Sequence, residues 1–304
     1  MSVPPYLNPG DTVALAAPAR KISQAEILPA ERWLKSVGFN VFYDDRLFAE
    51  EHQFAGSDEV RAQYFQELLD CDEIKAIWCV RGGYGSARII DKLDFSHFRQ
   101  HPKWVCGYSD ITVFHSHVQQ NFQTATLHAT MPINVTEENT QTPAVQSFLA
   151  ALTGKPLTYE IAPHPLSRQK VFSGILTGGN LSMLYSLVGS PSDIDTTDKV
   201  LFIEDLDEYL YHIDRMMLNL KRSGKLTSIK ALLVGHLSDM HDNTVPFGKT
   251  AEEIVADHCR DLDIPLIFNV PAGHLPDNRA FRMGCKIEGS FKDNKFIINS
   301  LNHD

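Results

Sequence analysis

The sequence predicts an α/β protein: a doubly wound parallel sheet in the first half, followed by a smaller β-rich α/β half. Three observations carry this. Short apolar runs alternate with amphipathic runs through about residue 135, a polar Thr/Glu/Asn/Gln/Pro stretch interrupts the pattern, and apolar runs then resume and end in a β-rich tail. Alternating strands and helices of this length need crossover connections, which lay helices on both faces of a parallel sheet. The expected organisation is a first domain over 1–135, a connection over 136–170 and a second domain over 171–304.

In order, Thr12 to Ala17 reads as a buried strand. Ser23 to Val37 reads as a helix, with Ile27, Ala30, Trp33, Leu34 and Val37 on one side and Gly38 ending it. Asn40 to Tyr43 is the next strand, and Ser57 opens a helix through Val60, Tyr64, Leu68 and Leu69. Then follow strand Ala76 to Val80, a helix near Ser86 to Lys92, strand Trp104 to Gly107 and helix Ile111 to Gln119. The connection holds one short helix, Pro143 to Thr153. The second half reads as strand Lys199 to Ile203, helix Asp207 to Arg222, strand Ala231 to Val234, helix Ala251 to Cys259, strand Pro265 to Val270 and a terminal strand ending at Asn299.

At 304 residues, 43% hydrophobic and 22% charged, the chain has the composition of a globular protein with a sizeable core. Its net charge of -10 argues against a nucleic-acid partner, because such binding rests on Lys and Arg displacing counterions. The five cysteines lie mostly in apolar runs without C-x-x-C spacing, so neither a disulfide framework nor a zinc knuckle is expected. The run Val13 to Pro18 is too short for a membrane span, and the N-terminus lacks a basic leader; a cytosolic protein is expected.

The most informative stretch is Gly107-Tyr-Ser-Asp110 at the end of an apolar strand, with a helix following at once. That geometry presents a hydroxyl on a sharp turn beside the free N–H groups of a helix start, where a nucleophilic serine belongs. The competing reading is that Ser109 or Asp110 only caps the helix. Arg81-Gly-Gly-Tyr-Gly-Ser86 also follows a strand, and its glycines let exposed N–H groups approach an anion or oxyanion. In doubly wound sheets ligands gather outside the carboxyl ends of strands, where both segments would lie. A serine needs a base, and two histidines follow second-half strands on a Gly-His step, His236 and His274; His97, His101, His115, His117 and His128 read as surface or packing residues. Glu204 ends an apolar strand and is a candidate orienting acid, whereas Asp205, Asp207 and Glu208 read as acids that start the next helix. Gly248-Lys249-Thr250 lacks the first glycine of a phosphate loop, and no metal-ligand spacing occurs.

Taken together, Arg81 to Arg88, Gly107 to Asp110, Gly178-Gly-Asn-Leu181, Leu201 to Asp205 and Gly273-His274 with Asn278 resemble, in order, the motifs of the LD-carboxypeptidase family of serine peptidases, which includes murein tetrapeptide carboxypeptidases and microcin-immunity peptidases. The resemblance implies a flavodoxin-like N-terminal domain, a smaller β-rich C-terminal domain and a Ser109–Glu204–His274 triad at their junction. It implies release of terminal D-alanine from murein tetrapeptide without cofactor or metal, in a cytosolic homodimer, or alternatively hydrolysis of a peptidyl-nucleotide amide. Backbone N–H groups of Gly83 and Asp110 are the expected oxyanion hole, and Arg81, Gly82 and Tyr84 the expected substrate contacts. Arg81, Arg88 and Arg279 are candidates to hold a terminal carboxylate. Leu127-His-Ala-Thr-Met131 departs from the family pattern of a His-Gly-Pro-Met segment.

Overall fold

The computed structural model describes residues 1–300; the last four residues of the expected second domain, 301–304, lie outside the described residues. In chain order the first half contains β1 (Thr12–Ala16), α1 (Gln24–Ser36), β2 (Asn40–Phe42), α2 (Asp58–Asp70), β3 (Ile74–Cys79), α3 (Ser86–Ile89), α4 (Ser96–Gln100), β4 (Trp104–Gly107), α5 (Thr112–Phe122) and β5 (Thr126–His128). Next come α6 (Pro143–Leu152), β6 (Leu157–Ile161), β7 (Phe172–Asn180), α7 (Leu181–Leu187), β8 (Lys199–Leu206), α8 (Leu210–Arg222), β9 (Ala231–Ser238) and α9 (Ala251–His258). β10 (Leu266–Ile267), β11 (Phe281–Met283), β12 (Lys286–Lys292) and β13 (Lys295–Ser300) complete the described chain.

The first sheet runs β2-β1-β3-β4-β5-β11, with the first five strands parallel and β11 antiparallel at the edge. The order 2-1-3-4-5 is that of flavodoxin-like sheets, whose direction of growth reverses between β1 and β3. The second sheet runs β10-β9-β8-β7-β12-β13-β6; β7 to β10 are parallel and β12, β13 and β6 antiparallel. Caps explain several boundaries. Ser23 and Glu26 form a capping box at α1, Ser57 accepts the Val60 N–H at α2, and Thr250 with Glu253 caps α9.

Several elements differ from the sequence expectation. The helix expected over Ser86 to Lys92 is one α-turn followed by a 3₁₀ turn, Ile90–Lys92. Strand β8 continues past Ile203 to Leu206, so Asp205 is a buried strand residue and not a helix-starting acid. The strand expected from Pro265 to Val270 shortens to β10. The stretch 136–170, expected as a connection with one helix, also contributes β6, which pairs with β13. Strand β11 crosses the other way, leaving the C-terminal half to pair with β5. The larger core therefore spans both sheets, joining Trp78, Trp104 and Phe148 to Phe202, Phe281 and Ile287. A second cluster, including Ile203, Met216, Val234 and Phe268, fills the outer face of the second sheet under α7, α8 and α9.

Candidate active site

Ser109 follows β4 and opens a 3₁₀ turn, Ser109–Ile111, that leads into α5. Its φ is +63°, a left-handed conformation that costs a non-glycine residue about 1–2 kcal/mol and holds the side chain out of the helix. Gly82 lies directly against it: a Cβ there would sit 2.8 Å from Ser109 Cβ and 2.9 Å from its Oγ, so only glycine lets the loop after β3 close on this turn. Asp110 fastens the two segments together. Its buried carboxylate accepts the Ser86 N–H at 2.7 Å, and burial pushes its pKa up against the pull of that hydrogen bond. Among the described residues, the N–H groups of Gly83 and Asp110 are donated to no other group of the chain.

The second half supplies the other side of the cleft. Glu204 is fully buried in β8, and its Oε2 lies 2.7 Å from Nδ1 of His274, in the loop after β10. A carboxylate only accepts, so Nδ1 carries the proton and Nε2 is the basic nitrogen. Burial draws the His274 pKa down, but the Glu204 charge and hydrogen bond outweigh it, leaving the imidazole above its ordinary value. The ring also packs on Tyr108, with centroids 4.7 Å apart. The loop is anchored through Asn278, whose Oδ1 accepts the Gly273 N–H at 2.9 Å and lies 3.2 Å from Nε2 of the buried His128. Asp205 accepts hydrogen bonds from Asn180 Nδ2 at 2.9 Å and the Ser182 N–H at 2.8 Å. Burial, with the neighbouring Glu204 charge, pushes its pKa up to about 7.

Ser109 and His274 line one cavity of about 440 Å³ at the junction of the two sheets, together with Arg81, Gly82, Gly83 and Asp110. Among the described residues no hydrogen bond yet joins Ser109 to His274; such contacts commonly tighten only around bound substrate. Tyr84 does not join this group: it is 46% exposed and its ring lies 6.0 Å from that of Phe54. Arg88 pairs with Asp58, and Arg279 pairs with Asp277, so neither lines the cavity. His236 borders a different, smaller cavity with Leu275 and Phe268. Arg20, Asn180 and Asp205 line the main cavity but were not among the expected contacts. Arg20 was findable in principle, since it follows β1 and therefore stands at the reversal point of the sheet beside the glycine loop.

A serine, an acid-paired imidazole and unpaired backbone donors around one cleft, on two packed α/β sheets, define a peptidase class. The chain belongs to the LD-carboxypeptidase family, whose N-terminal domain model matches residues 13–129 and whose C-terminal domain model matches residues 173–288. It is 36% identical to a probable murein peptide carboxypeptidase of Bacillus subtilis over 98% of this chain and 94% of that one. It is 28% identical to the murein tetrapeptide carboxypeptidase of Pseudomonas aeruginosa, over 90% and 91% of the two chains. The crystal structure of muramoyltetrapeptide carboxypeptidase from Oxalobacter formigenes superposes with a TM-score of 0.85 at 27% identity, covering 95% of this chain and 98% of that chain. A structure of MccF with glutamyl sulfamoyl guanosine shares the fold, with a TM-score of 0.85 at 21% identity over 99% and 98% of the chains.

Proposed function

We propose that this protein is a serine-type LD-carboxypeptidase that releases terminal D-alanine from murein tetrapeptide, acting as a cytosolic homodimer in the recycling of cell-wall peptide. The observation that carries the reading is that His274, paired with the buried Glu204, borders the same cavity as a left-handed Ser109. In the proposed reaction His274 Nε2 removes the Ser109 proton as Oγ attacks the scissile carbonyl, then protonates the leaving amine. Glu204 fixes the imidazole tautomer and stabilises its cation. The Gly83 and Asp110 N–H groups stabilise the tetrahedral oxyanion, each such donor contributing about 10²–10³ in kcat. Water, activated by the same imidazole, then hydrolyses the acyl-enzyme. No step in this scheme requires a metal.

The second reading, hydrolysis of a peptidyl-nucleotide amide, is supported by the likeness to MccF. It would be strengthened by an aromatic platform for a base, but Tyr209, Tyr211, Phe247 and Phe281 are not among the residues lining the cavity, and Phe281 is buried in the core. The tetrapeptide reading therefore leads. Purified protein incubated with L-Ala-γ-D-Glu-meso-Dap-D-Ala is expected to release D-alanine and to leave a peptidyl-adenylate analogue intact. Ser109→Ala should abolish release, a loss of about 10⁶-fold for a nucleophile acting within such a unit. Chelation by EDTA should leave the rate unchanged. Release of the nucleotide moiety without release of D-alanine would select the second reading.

A further inference from the structure

The main cavity is lined by charges of both signs: Asp205, Asp207 and Glu208 from the second half of the chain, and Arg20 and Arg81 from the first. The two arginines are not equivalent. Arg81 has its Nη1 3.6 Å from Glu26 Oε1 and 3.5 Å from the Lys21 carbonyl, so its charge is partly satisfied within the protein. Arg20 forms no ion pair among the described residues and is exposed at the cavity. Its stem crosses the face of Gly83 that a side chain would fill: an ideal Cβ on Gly83 would fall 2.2 Å from Arg20 Cδ and 2.6 Å from its Cγ. The Arg20 N–H also reaches the Gly82 carbonyl, at 3.4 Å, so the residue is tied to the glycine loop at both its backbone and its side chain.

We infer that Arg20 binds the carboxylate of the substrate's last residue and thereby makes the site select free C-termini. This assignment rests on the proposed LD-carboxypeptidase activity. When the bond cleaved is the last one, the carboxylate of the departing residue stands only a few bonds from the carbonyl whose oxygen becomes negative in the tetrahedral intermediate. The two negative charges repel, and both lie near the Gly83 loop if Gly83 donates to the oxyanion. A guanidinium lying on that same loop offsets the repulsion and offers the carboxylate paired N–H donors. The acids that line the cavity cannot do this, and Arg88 and Arg279 are paired elsewhere. An amide or an extended peptide at the same position would gain nothing from the charge.

The test compares kcat/KM for the tetrapeptide ending in D-alanine with that for the same peptide ending in D-alaninamide, in wild type, Arg20→Gln, Arg20→Lys and Arg81→Gln. Wild type is expected to favour the free acid. Arg20→Gln should lower the acid-to-amide ratio by about 10- to 100-fold, chiefly through KM for the acid, the size expected for losing a charge-assisted contact. Arg20→Lys should recover part of that ratio. Thermal melts establish that each variant is folded, and titration of the Ser109→Ala and Ser109→Ala/Arg20→Gln proteins with the acid peptide measures the same difference without turnover. An unchanged ratio in Arg20→Gln, or a collapse in Arg81→Gln instead, overturns the role of Arg20 while leaving the activity standing. Wild-type protein that releases no D-alanine overturns the activity and this assignment with it.

Discussion

Glu204 has no solvent exposure, one oxygen on His274 and, among the described residues, no partner for Oε1. A buried carboxylate with so few donors leans on the imidazole opposite it, and that imidazole in turn is held above its ordinary pKa by the Glu204 charge and hydrogen bond. Because a general base works only when neutral, activity should rise with pH through the His274 pKa, giving kcat/KM an acid limb above about pH 6.5. Glu204→Gln is expected to lower kcat by about 10³–10⁴-fold and to move the limb to lower pH; a limb that stays in place would contradict the coupling. Ser109, Glu204 and His274 stand out in the sequence as candidates because each ends or follows an apolar run, Ser109 and His274 beside a glycine. Asp205 does not. β8 is a central strand covered on both faces, so every residue from Val200 to Asp205 is buried, and the strand runs on through two acids that in the sequence read as its end. Arg20 is findable only through topology: one arginine after a strand resembles a surface arginine until strand order brings the loops after β1 and β3 side by side.

Among the elements, β11 shows what a three-residue strand can hold in place. Its Arg282 is buried and donates to the carbonyls of Ala150, Ala151 and Lys155, at and just beyond the C-terminus of α6, while lying 5.1 Å from the Tyr6 ring centroid. A cation there complements the helix dipole and adds charge-assisted bonds to carbonyls at the helix end. Arg282→Leu should cost about 1.5–3 kcal/mol by removing charge-assisted hydrogen bonds at a buried position, measured as a fall in the denaturation midpoint with m unchanged. Short elements such as β11, β5 and α4 give too few residues for periodicity to register. β6 was different, since Leu157, Tyr159 and Ile161 alternate with exposed Thr158 and Glu160; its strand pattern was present but embedded in a polar stretch.

For the whole molecule, the two sheets share one large core and exchange strands. β6, from before residue 170, belongs to the second sheet, and β11, from near the end, closes the first. The halves are therefore expected to unfold together, as a single calorimetric transition with matching calorimetric and van't Hoff enthalpies. A fragment comprising residues 1–170 should fail to give a cooperative melt, whereas independent domains would give one. The strand exchange also governs how the chain is born. β5 leaves the ribosome with one flank unpaired, and about 150 residues must be added before β11 arrives to cover it, an interval of roughly 8–30 s at ordinary synthesis rates. Throughout that interval a nascent sheet presents open hydrogen-bonding groups to its neighbours on the polysome, so slowed translation or premature termination should favour aggregation.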